Sequence, residues 1–167
     1  MGFEWWLSGD YVVCSSQLLK DCEAKGYDFM LSGTKFHSMD TKGRLILPAD
    51  FREAIGDKFI ATRGFENCIW IFSIEEYDKL EEKIKKLPEI SGRELYRFII
   101  GSKEDCENDK QGRVLIPLVL REHASLEKDI VVVGQSTKVE IWDKRVWTEH
   151  NNNNEEKAIA LLEGIGI

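Results

Sequence analysis

The chain has no surplus of basic charge. Of its 167 residues, 23 are Lys or Arg and 30 are Asp or Glu, leaving a net charge of −7. That excludes a surface coated with cations to grip nucleic acid along its length, so any DNA contact must come from a few local cations. Cysteine is sparse and unpaired: Cys14, Cys22, Cys68 and Cys106 stand singly, with neither the C-x2-C pairs of a zinc site nor the density of a disulfide scaffold. They read as reduced thiols. Histidine is equally scarce, and His37, His123 and His150 form no Cys–His or His–carboxylate pair that recurs at ligand spacing. No metal centre, cofactor site or nucleophilic catalytic set is therefore expected. Apolar runs stop well short of the roughly 18 to 20 residues of a membrane span, and the start, Met1-Gly2-Phe3-Glu4-Trp5-Trp6, lacks the basic opening of a secretory signal. These absences describe a soluble, cytoplasmic protein without a membrane partner. With 43% hydrophobic residues it has enough apolar material to bury the core of one ordinary domain or two small ones.

What the chain does have is a repeat. Asp40-Thr-Lys-Gly43-Arg44-Leu-Ile-Leu-Pro48-Ala-Asp-Phe51-Arg52-Glu53 is matched 69 residues later by Asp109-Lys-Gln-Gly112-Arg113-Val-Leu-Ile-Pro117-Leu-Val-Leu120-Arg121-Glu122. Further on the offset becomes 70, setting Lys58–Gly64 on Lys128–Gly134 and Ile69–Phe72 on Val139–Trp142. Turn, strand, proline, short helix, strand, glycine and strand recur in one order, so the chain is a tandem of two related units.

Each unit can be read locally. Asp40 and Asp109 can accept a backbone N–H two residues on, and Gly43 and Gly112 can take a positive φ, so both segments read as tight turns. Arg44 opens a strand that Pro48 ends, and a short helix Ala49 to Ile55 follows, with Gly56 just past it. Phe59 to Arg63 and Cys68 to Phe72 read as a strand pair. Ser73-x-x-Glu76 is a capping-box pattern for a helix with Tyr77, Leu80, Ile84 and Leu87 on one face, and Ser91-x-x-Glu94 predicts the start of a second helix. In the second unit Asp143 caps a helix from Lys144, which crosses the polar run Asn151–Asn154, where helix propensity is weak. Units of about forty residues would be marginal alone and are expected to pack on each other through pairing strands.

The duplicated turn holds cations at fixed places: Lys42 and Arg44 flank Gly43, Lys110 and Arg113 flank Gln111-Gly112, and Lys35 precedes the turn on the incoming strand. An arginine fork can bind phosphate or the O6/N7 edge of guanine bidentately, while lysine acts as a point charge on phosphate. The other reading is that Asp40 and Asp109 only shape turns and that Arg44 and Arg113 pair with them. The residues alone favour turn-shaping for the aspartates and leave both readings open for the arginines. Arg52 and Arg121, each in an Arg-Glu pair on a short helix, suit structural ion pairs. An aspartic-protease-like enzyme is disfavoured, because Asp40-Thr41 is answered by Asp109-Lys110 and Lys42 separates Thr41 from Gly43. The aromatic stripe of Trp70, Phe72, Trp142 and Trp147 reads as core and subunit contact.

The repeated D-x-x-x-R turn, with its apolar strand, proline and short helix ending in Arg-Glu, resembles the MraZ family over roughly Met30 to His150; Cys106–Arg113 and Val139–Asp143 support the match in order. The resemblance implies an α+β fold of two tandem SpoVT/AbrB-like modules of β-barrel type, related by a pseudo-twofold intrachain duplication with flanking helices. The modules fall at 34–77 and 103–146, with a helical connector at 78–102 and a C-terminal helix or tail at 147–167. It also implies a nucleoid-associated regulator of the division and cell-wall gene cluster, working as a ring-shaped homo-oligomer on double-stranded DNA with repeated sites. The binding role is attached chiefly to the first module, which makes Arg44 the main contact with Lys42 assisting and Lys35 on phosphate; Arg113 and Lys110 are the weaker set. Related readings are an AbrB-like antitoxin and a ring scaffold whose partner is protein. The 29 residues before Met30 match nothing in the repeat, and Lys25-Gly26 would be encoded by a stretch containing the AAGG core of a ribosome-binding site. Residues 1–29 are accordingly expected to be translated leader; the alternative is an amphipathic extension using Trp5, Trp6 and Leu18-Leu19.

Overall fold

The computed structural model describes residues 31–165, so the expectations about residues 1–29 lie outside it. The elements run β1 (Leu31–Ser38), β2 (Arg44–Ile46), α1 (Ala49–Ile55), β3 (Lys58–Arg63), β4 (Ile69–Ser73), α2 (Ile74–Lys85), α3 (Glu89–Ile99), β5 (Glu104–Glu107), β6 (Arg113–Leu115), α4 (Leu118–His123), β7 (Asp129–Ser136), β8 (Lys138–Asp143) and α5 (Lys144–Gly164). Short 3-10 turns at Phe65–Asn67 and Ile100–Ser102 complete the order.

The strands form a six-stranded antiparallel sheet in the order β1-β7-β8-β4-β3-β5 and a separate two-stranded ribbon, β2-β6. The order is symmetric about its centre, where the equivalent residues Trp70 and Glu140 stand opposite each other. On the ribbon the equivalents Leu45 and Val114 are paired in the same way. Each repeat lends its first strand to the other: β1 pairs with β7, and β5 with β3. This exchange is why the expected barrel-type closure of each module is not formed. Hydrogen bonding runs on into one shared sheet, which ends open at β1 and β5 among the described residues.

Alternation along the strands sorts the core into layers. Phe59 and Ala61 of β3, with Ile130 and Val132 of β7, join Leu45, Leu47, Val114, Ile116, Phe51 and Leu120 beneath the ribbon and α1 and α4. Ile60 packs with Phe72 and Tyr77 on the α2 side, and Val131 with Cys68 and Trp142 on the α5 side. In the aromatic stripe Phe72 and Trp142 are core and the partly buried Trp70 and Trp147 pack against them: Trp142 meets Trp147 at 5.4 Å and Trp70 meets Phe72 at 6.2 Å between ring centres. Burial also pushes the Cys106 thiol up to about 11, as expected of a packing residue rather than a reactive one.

Two sequence expectations shift. The repeat register across the third strand moves by one residue, because the pairing sets Phe59 on Ile130 and Ala61 on Val132 rather than Lys58 on Lys128. The cause is the longer bend Ser125–Lys128, which stands where the first repeat has only Gly56-Asp57. The second connector helix starts at Glu89, directly after Pro88, rather than at Ser91, since proline's fixed φ is already preset for entry into a helix. The caps at Ser73 and Asp143 form: Ser73 Oγ accepts from Glu76 N at 3.3 Å, and Asp143 Oδ1 from Arg145 N at 3.0 Å. The last helix continues to Gly164 straight through Asn151–Asn154, and no residue of it is buried.

The connector is tied to the sheet by one polar knot. The buried Thr62 hydroxyl donates to the Ile99 carbonyl at 2.8 Å and lies 2.8 Å from Ser102 Oγ, which also accepts from Arg63 N at 3.0 Å. Thr62→Val keeps the shape but leaves the Ile99 carbonyl without that donor. It is expected to lower stability by about 1–3 kcal/mol, read as a lower urea midpoint at unchanged slope.

Candidate nucleic-acid interface

The two D-x-x-x-R turns are copies of one hydrogen-bonded unit. In the first, Asp40 Oδ1 accepts from the backbone N–H of Lys42 and of Arg44, both at 2.9 Å. The backbone closes the turn, with Gly43 N donating to the Asp40 carbonyl at 3.0 Å and Asp40 N to the Arg44 carbonyl at 2.8 Å. In the second, Asp109 Oδ1 accepts from Gln111 N at 2.8 Å and Arg113 N at 2.9 Å. Gly43 and Gly112 sit at φ 82° and 74°, where a β-carbon is disfavoured.

The arginines complete each unit. Arg44 Nε donates to Asp40 Oδ2 at 2.8 Å, with Nη2 at 2.7 Å from the same oxygen; Arg113 does the same on Asp109 at 2.8 Å for both nitrogens. The turn-shaping aspartate therefore also orients the guanidinium. Each arginine side chain remains 30% exposed, and among the described residues its Nη1 makes no hydrogen bond, so the fork is aimed with one edge left for a ligand. Backbone and arginine hydrogen bonds hold both aspartate carboxyls below the usual carboxylate range. With the folded pKa lowered, this contribution to stability is complete above the ordinary value of 3.8 and is lost as pH falls through the lower folded value. A pH titration followed by the amide resonances of Arg44 and Arg113 should thus show midpoints below 3.8; midpoints at or above it would mean the carboxylates do not hold the turns.

Beneath each turn lies an arginine from the other repeat. A methyl group built on Gly43 would fall 2.5 Å from Cζ of Arg121, and one on Gly112 would collide with Nη1 of Arg52. Arg121 Nε also donates to the Ile116 carbonyl at 2.9 Å. Among the described residues neither Arg52 nor Arg121 is in an ion pair, so the structural ion pair expected of them is replaced by crossed bracing of one repeat's turn by the other's helix. The signal that could have found this was the constant spacing of nine residues from Gly43 to Arg52 and from Gly112 to Arg121.

The remaining cations divide. Lys42 and Lys110 stand exposed on the turns without an ion pair among the described residues. Lys35 is held by the Asp50 carboxylate at 2.5 Å and lies over the Phe51 ring, which ties it to α1. His123 faces the Gly64 carbonyl at 2.9 Å and His150 packs on Trp142; among the described residues no cluster of His, Cys, Asp and Glu could hold a metal ion. No helix of the described chain is long and apolar enough to cross a membrane.

Comparison with known proteins bears on the duplication. The model of a family described as "MraZ protein, putative antitoxin-like" matches residues 30–95 and again 99–162. The chain is 49% identical over 128 residues, 75% of its length and 90% of the relative's, to the transcriptional regulator MraZ of Thermoanaerobacter sp. strain X514. It is 43% identical over 138 residues, 81% of its length and 96% of the relative's, to that of Desulfitobacterium hafniense strain Y51. With that of Acetivibrio thermocellus it shares 44% over 140 residues, 83% and 98% of the two chains. A duplicated turn that fixes an arginine, two successive matches to one family model, and relatives matched over nearly their whole length lead to one assignment: the chain belongs to the MraZ family.

Proposed function

We propose that the chain is a sequence-specific DNA-binding transcriptional regulator of the division and cell-wall gene cluster, acting as a ring-shaped homo-oligomer on repeated sites in double-stranded DNA. One observation carries this reading: the duplicated turn, in which an aspartate presents a partly exposed arginine fork at each end of the β2-β6 ribbon. The name transcriptional regulator borne by the relatives supports it. Within the site, Arg44 is the main contact, Lys42 assists on phosphate, and Arg113 with Lys110 forms the second, lesser contact. Lys35 acts through the phosphate backbone when its tie to Asp50 opens.

A chain of net charge −7 with so few committed cations needs several engaged copies to bind tightly. Rings supply them, because repeated sites on one DNA meet many turns at high effective concentration. Exposed Leu118 and Val119, neighbours on α4 of the second repeat, suit a contact between copies. The test is fluorescence anisotropy of a labelled duplex from upstream of the chain's own gene, at two salt concentrations, beside sedimentation of the free protein. Salt-sensitive binding stronger than to an unrelated duplex, by a multimer, is the expected result. Absence of such binding would turn attention to a protein-binding ring scaffold. The second reading, an antitoxin, is favoured by the family's description alone; it requires that the chain relieve the growth arrest caused by a toxin encoded beside it.

A further inference from the structure

The outer face of the β2-β6 ribbon carries more than cations. Leu45 and Val114 point into the core, so strand alternation sends Arg44 and Ile46 outward from one strand and Arg113 and Leu115 from the other. Arg44 stands across from Leu115, and Ile46 across from Arg113. The face is therefore a square of four side chains, with the cations on one diagonal and the aliphatic pair on the other. Ile46 is 48% exposed and Leu115 56% exposed.

Large aliphatic side chains left in water, at equivalent places in both repeats and between two aimed guanidinium groups, call for a ligand offering anionic or acceptor groups beside small apolar ones. The major groove of DNA has that chemistry: guanine O6/N7 and phosphates for arginine, and the thymine C5-methyl as the apolar group on a base edge. It is also wide enough for a two-stranded ribbon. Resting on the DNA-binding reading above, we propose that Ile46 and Leu115 are specificity-determining residues that read thymine methyl groups. Diagonal neighbours on paired strands lie about 7–8 Å apart, which spans about two base-pair steps. The internal twofold relation then places the two thymines on opposite DNA strands. Leu118 and Val119 are excluded from this face because Ala49 and Asp50 occupy their places in the first repeat, so a ligand with its own dyad would not meet them twice.

The test uses the same upstream duplex prepared with thymine or with uracil throughout, which differ only in the C5-methyl. The full-length protein is titrated with both, alongside Ile46→Ala, Leu115→Ala, Ile46→Val and Arg44→Ala. The wild-type protein should bind the uracil duplex about fourfold more weakly per contacted methyl. Ile46→Ala and Leu115→Ala should weaken binding to the thymine duplex and erase the difference between duplexes, while Ile46→Val retains it; circular dichroism and sedimentation confirm that fold and assembly persist. Equal wild-type affinity for the two duplexes, with Arg44→Ala still defective, overturns the methyl reading and leaves the DNA-binding reading standing. Alanine variants that bind weakly yet keep the full thymine preference, or that fall apart into smaller species, also overturn it and make the pair a structural or subunit contact. No salt-sensitive binding to either duplex defeats both.

Discussion

Arg44→Ala is expected to cut affinity for the upstream duplex at least tenfold per engaged subunit and to flatten its salt dependence by about one power of salt concentration per lost phosphate contact. Because several turns act together on one DNA, the losses compound, and binding should fall below detection at the higher salt concentration. Folding should survive: the Asp40–Arg44 pair is about a third exposed, and solvent-accessible pairs of this kind contribute little to stability. Asp40 keeps its two backbone donors without the guanidinium, so the turn itself persists. Arg44→Lys separates charge from geometry, since lysine restores a cation but not a planar fork held by two nitrogens on one oxygen. It should recover non-specific, salt-sensitive binding and not discrimination between sequences. Arg113→Ala, altering the second copy of the same unit, should have the same sign and a smaller size. Anisotropy titrations at two salt concentrations, with sedimentation as a control for assembly, measure all three. Wild-type affinity in Arg44→Ala would place the contact elsewhere on the surface.

The second large effect belongs to Gly43. Its φ of 82° costs a residue with a β-carbon about 1–2 kcal/mol, and the new methyl would also meet the Arg121 guanidinium at 2.5 Å. Gly43→Ala should therefore lower stability by about 2–3 kcal/mol, the backbone cost plus the hydrogen bond to the Ile116 carbonyl that Arg121 loses as its flexible end moves aside, and it should weaken DNA binding by moving the turn that aims Arg44. A double-mutant cycle separates the two causes. In an Arg121→Ala background the collision is gone and only the backbone cost of about 1–2 kcal/mol should remain. Strict additivity in urea unfolding would show that the crossed arginine does not brace the turn.

The parts of the fold set by local chemistry are legible in the sequence. Asp40, Gly43 and Pro48 each act within a few residues of themselves, so the turn, the short helix after it and the capped helices at Ser73 and Asp143 follow from spacing alone. The duplication is equally visible, because the second motif preserves spacing as well as residue type. Strand exchange is not, since nothing in Leu31–Ser38 tells whether its partner is β3 or β7; both offer a run of consecutive buried residues. The barrel expectation failed at that step. The register slip at Lys58 arose because two identical lysines invited alignment, whereas burial matches Phe59 with Ile130. At the candidate interface, Arg44 and Arg113 could be named from the motif, but their anchoring on Asp40 and Asp109 required geometry. Arg52 and Arg121 suit an ion pair within or between the repeats in sequence terms, but their place beneath the opposite repeat's glycine is not legible there, because a sequence shows adjacency along the chain and not across an internal dyad. Ile46 and Leu115 read as ordinary strand residues, and only the inward turn of Leu45 and Val114 exposes them.

The pairing of Leu31 with Ser136 at one end of β1, and of Ser38 with Asp129 at the other, bears on how the protein is made. On the ribosome the first repeat emerges complete in sequence yet without a neighbour for its leading strand, which must wait until β7 has been synthesised about a hundred residues later. Such long-range closure slows folding and leaves an unsatisfied edge open to other nascent chains in the interval. Helices α2 and α3, local in their contacts and placed between the repeats, can form during that wait, so the connector also sets the timing by which the two halves of the chain find each other.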